Sequence, residues 1–299
     1  MKPALGIIIT GQIRTFFMEK VFGSFYNWMC LLKKHYTLYV VCVINGADIP
    51  YSKFTFFREL AEKYMLMKFD ASTVPVAPDR FFEVIYEGLR KDGMLERAIE
   101  DCIDPRERLQ NFLTQKAQVR DGVAAMKSFG VDIPTYIKTR FDLFYGIPLI
   151  PYSNPNPLFP HSRENELFYA QLLAQRGFTS VEHFIDYINN KTLDTLRIPE
   201  NLWEVNFGGV YYYNKDIFDT NDKLWMSADF IFIGKAELFE RYCNSDLLGN
   251  PEKVLEIAKE KGHTLIFTTE PLVCIHMYSV NITPIMLLNS YIIYIQRDD

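Results

Sequence analysis

The first half of the chain alternates short apolar segments with longer segments in which apolar residues recur every three or four positions. An unbroken apolar segment that ends at a glycine, as residues 5–10 do before Gly11, is typical of a buried strand in a parallel sheet. The three-to-four spacing is typical of helices that pack one side on such a sheet. The pattern predicts strands at residues 5–10, 36–44, 64–69 and 136–144, and helices at residues 16–34, 51–64, 80–91 and 105–129.

The longest predicted helix has both of its ends marked in the sequence. Asp104 stands at the N-cap position, Pro105 at the first helical position, and Gly130 just beyond the end, which is the order in which these residue types occur around helices. Strands and helices that alternate in this way predict an α/β fold, with a mostly parallel sheet covered on both faces.

The second half of the chain is less regular. Residues 147–160 contain five prolines and are expected to be irregular. The pattern beyond them predicts helices at residues 164–175, 180–189, 236–243 and 251–261, strands at residues 207–214, 229–233, 264–268 and 272–276, and a strand or helix at residues 285–295. Because no repeat and no linker divides the chain, we expect one domain over residues 1–299, with a soft boundary near residue 146.

Charge and composition narrow the classes of function. The net charge is −5 and the isoelectric point is near 5.7, whereas a nucleic-acid-binding surface needs a basic footprint. The five cysteines form no CxxC pair or zinc-type cluster and are expected to be reduced. The apolar N-terminal segment does not fit a signal peptide, and no segment approaches the roughly 20 apolar residues of a membrane span. We therefore expect a cytoplasmic protein without a nucleic-acid partner or a transmembrane segment.

The first candidate site follows the first predicted strand and contains Thr10, Gly11, Gln12 and Arg14. Ligands of open α/β sheets bind beyond the carboxyl ends of the strands. Gly11 allows a close approach of the backbone, and the planar fork of Arg14 can hold a diphosphate or a base. The segment is not GxGxxG, which disfavours a dinucleotide-binding fold. A plain strand-to-helix turn, with Arg14 in a surface ion pair, accounts for the same residues.

The second candidate site is the end of the fourth predicted strand. Strand alternation places Lys138, Arg140 and Asp142 on one side, and three charges on a central strand are costly unless they face a cleft. A carboxylate such as Asp142 suits a divalent cation, and a guanidinium such as Arg140 suits phosphate oxygens. A local salt bridge at the strand end is the simpler alternative.

Three further features are also candidates. Asp229 opens a predicted strand and can act as a base toward an acceptor hydroxyl, although backbone amides often satisfy such an aspartate. His276, at the end of a predicted strand, completes a metal site with Asp142 if the fold brings the two together, but a single histidine is more often structural. Gly208 and Gly209 can let a donor sugar or acceptor approach the backbone, and a β-bulge explains them equally well.

Three of these segments carry a resemblance to a known group of enzymes. Residues 11–14, GQIR, resemble the "GQxR" start of a group of microbial and large-virus glycosyltransferases, and residues 139–142, TRFD, resemble their "TRxD" strand end. Residues 229–234, followed by a helix that ends at Arg241 and Tyr242, are similar to a later segment of the same enzymes. The resemblance extends from residue 5 to about residue 243, through short motifs only.

The resemblance implies a GT-A-like fold and transfer of a sugar from a nucleoside diphosphate sugar, with a uridine donor favoured, to a glycan hydroxyl with inversion. The family order of metal aspartate, glycine-rich stretch, acidic base and late histidine falls on Asp142, Gly208-Gly209, Asp229 and His276, with Mn²⁺ or Mg²⁺ as the cofactor. Residues 1–146 are then the nucleotide-binding half and residues 147–299 the acceptor-binding half.

One departure from the family pattern concerns the metal. The usual motif has two carboxylates, and here Arg140 stands where the first one is expected. Either Asp142, His276 and the diphosphate hold the metal together, or Arg140 partly replaces it. Two other classes of protein stay open at this point: a nucleotidyltransferase, and a non-catalytic module that binds a carbohydrate or a partner. The sequence does not indicate the oligomeric state.

Overall fold

The structure is a computed structural model that describes residues 2–46, 48–96, 104–145, 222–227, 231–262, 266–267, 269–286 and 293–295. Three predicted site residues, Gly208, Gly209 and Asp229, lie outside these ranges. The described strands are β1 (Ala4–Gly11), β2 (Thr37–Ile44), β3 (Lys63–Lys68), β4 (Thr135–Arg140), β5 (Leu143–Tyr145), β6 (Lys223–Ser227), β7 (Ile231–Lys235), β8 (Thr283–Met286) and β9 (Ile293–Ile295). The described α-helices are α1 (Glu19–His35), α2 (Phe57–Leu60), α3 (Asp79–Lys91), α4 (Pro105–Lys127), α5 (Ala236–Asn244), α6 (Pro251–Glu260) and α7 (Thr269–Ser279).

Within the described residues, seven strands form one sheet in the order β3-β2-β1-β4-β7-β6-β8. Neighbouring strands from β3 to β4 are parallel, β7 runs antiparallel to both β4 and β6, and β8 is parallel to β6. A separate pair joins β5 to β9 in antiparallel fashion. The described elements therefore form a single α/β domain with a mostly parallel sheet flanked by helices, as the sequence predicts.

Apolar side chains cover both faces of the sheet. Ile8 and Val41 face the cluster that contains α3 to α7, whereas Ile7 and Ile9 face the cluster that contains α1 and α2. Successive residues of β1 thus point to opposite faces, and both faces are buried. This arrangement explains why the first two strands are continuous apolar segments rather than alternating ones.

The ends of α4 agree with the sequence signals. The carboxylate of Asp104 accepts hydrogen bonds from the backbone N–H groups of Arg106 and Glu107, at 2.9 and 3.3 Å. Beyond the helix, Gly130 adopts a φ of 67°, a conformation that glycine takes without steric cost.

Four predicted elements are wrong. Residues 51–64, predicted as one helix, form a 3₁₀ turn at Tyr51–Phe54, the short α2 and the start of β3. Residues 136–144, predicted as one strand, are divided between β4 and β5 by a turn at residues 141 and 142. Residues 266 and 267, which belong to the strand predicted at residues 264–268, form a turn. Residues 272–276, predicted as a strand, lie in helix α7.

Two expectations concern cysteines and membranes. The four cysteines within the described residues, Cys30, Cys42, Cys243 and Cys274, are free thiols, and all but Cys30 are buried. Among the described helices, none has the length and apolar character needed to cross a bilayer. The boundary near residue 146 and the roles of the two halves stay predictions.

Candidate functional site

The order in which successive strands are added to the sheet reverses at β1. The chain adds β2 and then β3 on one side of β1, and it returns to place β4 on the other side. Ligands of open α/β sheets bind at such a switch point, in the crevice outside the carboxyl ends of the two strands. The register pairs Thr10 of β1 with Arg140 of β4. The structure thus brings the first and second predicted sites to one place, which the sequence alone did not establish.

Thr10 and Gly11 form the end of β1 at this switch point. The buried hydroxyl of Thr10 donates to the carbonyl oxygen of Thr139 at 3.3 Å. This bond joins β1 to β4 at the end of their shared ladder. Gly11 has a φ of 109°, and a Cβ placed on it meets no atom of the described residues within 4 Å. Among those residues, the backbone conformation and not crowding is what requires glycine here.

The segment after β1 is anchored by aromatic packing. The backbone N–H of Phe16 donates to the carbonyl of Ile13 at 2.7 Å, and the fully buried ring of Phe16 meets that of Phe141 with 5.1 Å between centroids. The turn that follows β1 is thereby packed against the turn that follows β4. Gln12 and Arg14 are exposed on this anchored turn, where their polar groups can reach a ligand in solution.

The three charged residues at the end of β4 have different environments. Lys138 is fully buried, and its ammonium nitrogen lies 4.8 Å from the centroid of the Phe232 ring. The expectation that all three charges face an open cleft is therefore wrong for Lys138. Arg140 is the last residue of β4, and Asp142 lies in the turn beyond it, so the simple strand alternation does not extend to Asp142.

Arg140 and Asp142 form a two-point ion pair. The Nε of Arg140 donates to Oδ1 of Asp142 at 2.9 Å, and the Nη2 donates to Oδ2 at 2.6 Å. The two side chains are 24% and 17% exposed. The local salt bridge considered from the sequence is therefore present, and it lies at the switch point. Both oxygens of the carboxylate are engaged by one guanidinium, which fixes the plane of that guanidinium.

His276 lies in the interior of the helical layer. It is fully buried in α7, its ring packs edge to face on Phe112 and Tyr242, and its Nε2 lies 2.7 Å from the carbonyl oxygen of Tyr242. The hydroxyl of Ser245 lies 3.1 Å from Nδ1. Burial is the main cause that lowers the pKa of His276 to about 3, followed by the charge of Lys116. The imidazole is therefore neutral at pH 7, with Nε2 as the donor to Tyr242.

The structure does not bring Asp142 and His276 together through any hydrogen bond or ion pair. Asp142 is bonded to Arg140, and His276 is bonded to Tyr242 and Ser245. Within the described ranges, no group of three or more His, Cys, Asp or Glu side chains is arranged to hold a metal ion. The described residues therefore do not fit a metal site, and the ligand roles of Asp142 and His276 stay predictions without support from these contacts.

Sequence reasoning missed the polar group around His276. The ammonium of Lys116, on α4, donates to the carbonyl oxygen of Ser245, and burial lowers the pKa of this lysine. A signal was available in the sequence, because Lys116 continues the helical spacing of the buried residues Leu109, Phe112 and Leu113. The group joins α4, α5 and α7, and it is a structural link between helices.

Comparisons with known proteins add little to this picture. No family model matches the chain, and no curated protein matches it. Among solved structures, the chain is similar to mouse xyloside xylosyltransferase 1 in its apo form, at 15% sequence identity and a TM-score of 0.32, over 96% of this chain and 84% of that one. A similarity of this size does not establish the activity of the present chain.

Proposed function

We propose that this protein is a glycosyltransferase that moves a sugar from a nucleoside diphosphate sugar to a glycan hydroxyl. The observation that carries the proposal is the register pairing of Thr10 with Arg140 at the switch point of the sheet. It joins in space the two segments, GQIR and TRFD, through which the sequence resembles glycosyltransferases. That meeting of the two segments is the arrangement that a donor site needs.

The donor occupies the crevice over Gly11, with its diphosphate facing the end of β4. Gly11 has no side chain, and no atom of the described residues lies within 4 Å of its Cβ position, which lets the nucleotide approach the backbone. The guanidinium of Arg140 stabilises the negative charge that develops on the leaving diphosphate. Because its N–H groups are held in place before the reaction, they need no reorganisation during it. Arg14 and Gln12, which are exposed on the adjoining turn, bind the base or ribose. We favour a uridine donor.

The residues proposed for the acceptor side of the reaction, Asp229, Gly208 and Gly209, lie outside the described ranges. Asp229 removes the proton from the acceptor hydroxyl, which attacks the anomeric carbon from the side opposite the diphosphate and inverts it. Gly208 and Gly209 let the sugar approach the backbone. The strands that flank residue 229 are arranged suitably, since Ser227 pairs with Ile231 and Phe232 pairs with Lys138, so β6 ends and β7 begins at the carboxyl edge.

The first test is binding and product analysis with the purified protein. A nucleoside diphosphate at 100 times its dissociation constant stabilises a protein by about 2.7 kcal/mol, which a thermal-shift assay detects. With the matching nucleotide sugar and a glycan acceptor, we expect release of nucleoside diphosphate. Release of pyrophosphate from a nucleoside triphosphate would instead identify a nucleotidyltransferase. Binding without turnover of any donor would identify a non-catalytic module.

The second test is of the base. Asp229→Asn is expected to lower kcat by about 10²- to 10⁴-fold, with the dissociation constant of the nucleoside diphosphate unchanged. Asp132→Asn is the matched control, because Asp132 is an exposed aspartate at the amino side of β4. Full activity of the Asp229 variant would remove the base from this position.

A further inference from the structure

We propose that Asp142 is a positioning residue for Arg140, and that Arg140, held in this way, supplies at the diphosphate the positive charge for which a metal ion was expected. Binding of the donor diphosphate is then independent of divalent metal. The inference rests on the proposed function. It concerns how the same site neutralises its ligand.

The geometry of the pair favours positioning over metal binding. Each oxygen of Asp142 accepts one hydrogen bond from Arg140, at 2.9 and 2.6 Å. A metal ion at Asp142 must displace at least one of these charge-assisted bonds, which are the stronger class of hydrogen bond. The pair is also partly buried, so solvent screens it less than an ion pair on the open surface.

The place of Arg140 makes it suitable for a phosphate. It is the last residue of β4 and the register partner of Thr10, so its side chain starts at the crevice where ligands of this fold class bind. A guanidinium presents its N–H donors in a fixed plane, and Asp142 accepts from Nε and Nη2 of Arg140. Phosphate oxygens are acceptors that the planar fork of arginine matches in geometry.

The role of Asp142 follows from the flexibility of a free arginine. An arginine side chain loses considerable rotamer freedom when it is fixed. Asp142 accepts from Nε and Nη2 and so fixes the guanidinium before the ligand arrives. The ligand then avoids most of the cost of ordering that side chain. Removal of the carboxylate is expected to weaken diphosphate binding without any reference to metal.

The second predicted metal ligand, His276, is bonded to other groups. His276 is fully buried in α7 with its Nε2 directed to the carbonyl of Tyr242 at 2.7 Å. Within the described part of the chain, no three metal-ligating side chains lie together. The described groups at the crevice thus provide a guanidinium, and not a carboxylate cluster, for an anionic ligand.

The experiment measures binding of UDP, GDP, CDP, ADP and dTDP by calorimetry, in EDTA and in Mn²⁺. The variants are wild type, Asp142→Asn, Asp142→Glu and Arg140→Lys. Asp121→Asn is the matched control, because it breaks another arginine–aspartate pair, Arg120–Asp121 on α4. Thermal unfolding of each variant shows whether it is folded.

We expect the best nucleoside diphosphate to bind wild type with dissociation constants within about threefold in EDTA and in Mn²⁺. Asp142→Asn should weaken binding about tenfold, and equally in EDTA and in Mn²⁺. The free energy of ordering one arginine side chain is of that order. Asp142→Glu should restore part of the loss. Arg140→Lys should weaken binding by at least tenfold, since a lysine keeps the charge but not the fork, and Asp121→Asn should have no effect.

Three results would overturn the inference. Binding that needs Mn²⁺, with a Mn²⁺ increment that Asp142→Asn removes, would make Asp142 a metal ligand while leaving the transferase proposal intact. A folded Asp142→Asn variant that binds with the affinity of wild type in both conditions would remove the positioning role. If that variant does not fold, wild-type affinity of a folded Arg140→Lys variant would remove it. Failure of every nucleoside diphosphate to bind wild type in either condition would overturn the proposed function itself.

Discussion

The ring of Phe16 meets the ring of Phe141 edge to face, with 5.1 Å between their centroids and 77° between their planes. Both side chains are fully buried. Phe16 belongs to the turn after β1 and Phe141 to the turn after β4, so this one contact joins the two segments at the switch point of the sheet. This contact fixes the position of one turn of the candidate site relative to the other.

This contact should be measurable as a coupling energy. Phe16→Leu and Phe141→Leu are each expected to destabilise the protein by about 1–3 kcal/mol, and the pair should be less than additive by about 0.5–1.5 kcal/mol, which is the range for aromatic pairs. Urea unfolding of wild type, both single variants and the double variant gives the cycle. Strict additivity would mean that the two turns are held independently.

A second prediction concerns stability at acid pH. The pKa of His276 is lowered to about 3 in the folded protein and returns to about 6.5 when the chain unfolds. Below about pH 6.5 the unfolded chain therefore binds one proton more than the folded chain, so the contribution of this residue is fully present above that pH. It is lost as the pH falls from 6.5 toward 3, by up to about 1.4 kcal/mol per pH unit.

His276→Gln isolates this effect because it removes the titrating group and keeps an amide that can donate to Tyr242. Denaturant unfolding at pH 7.5, 6.5, 5.5 and 4.5 should show a steeper loss of stability for wild type than for the variant. The variant is expected to be less stable at pH 7.5 and to approach wild type at acid pH. Parallel curves would show that His276 does not carry the pH dependence.

A third prediction separates conformation from binding at Gly11. Gly11→Ala is expected to destabilise the protein by about 1–2 kcal/mol, because an L side chain is strained at positive φ, although space for the methyl group exists. Gly130→Ala is a matched control, because Gly130 has a φ of 67° and lies in the connection between α4 and the start of β4. Both variants should lose stability, and the Gly11 variant alone should also lose affinity for a nucleoside diphosphate in calorimetry.

Equal affinity in the two glycine variants would count against a donor that lies over Gly11. Stability measured in the absence of nucleotide provides the correction for strain. Loss of affinity only at Gly11 would support the crevice between β1 and β4 as the binding site.

A fourth prediction tests the start of α4. Asp104→Ala removes the acceptor for the N–H groups of Arg106 and Glu107 and is expected to cost about 1 kcal/mol of stability, the usual value for an N-cap. Asp104→Ser should restore most of it, since serine caps nearly as well. An unchanged urea midpoint for Asp104→Ala would show that the cap contributes nothing in this context.

Local signals in the sequence were sufficient for several elements. Residues 5–10 and 36–44 are almost entirely apolar, and residues 104, 105 and 130 mark the ends of a helix. In each case the physical cause is local, because a strand buried on both faces needs apolar residues at every position, and a helix end needs particular residue types. Those predictions are confirmed by β1, β2 and α4.

The error at residues 272–276 has a tertiary cause. Helix α7 packs against α4, α6 and β8, and six consecutive residues from Leu272 to Met277 are buried. A helix that is covered on all sides has no polar side, so its sequence shows no helical period. An apolar segment of that length is indistinguishable from a buried strand until its neighbours are known.

The sequence by itself determined the α/β class, the central strands and the residue types at the candidate site. Those properties depend on the period of apolar residues and on the chemistry of single side chains. Only the tertiary structure decided that Thr10 and Arg140 are neighbours, that Asp142 is bonded to Arg140, and that His276 is buried elsewhere in α7. Such contacts depend on the order of strands in the sheet and on how the turns pack, and neither is encoded in any short segment of the chain.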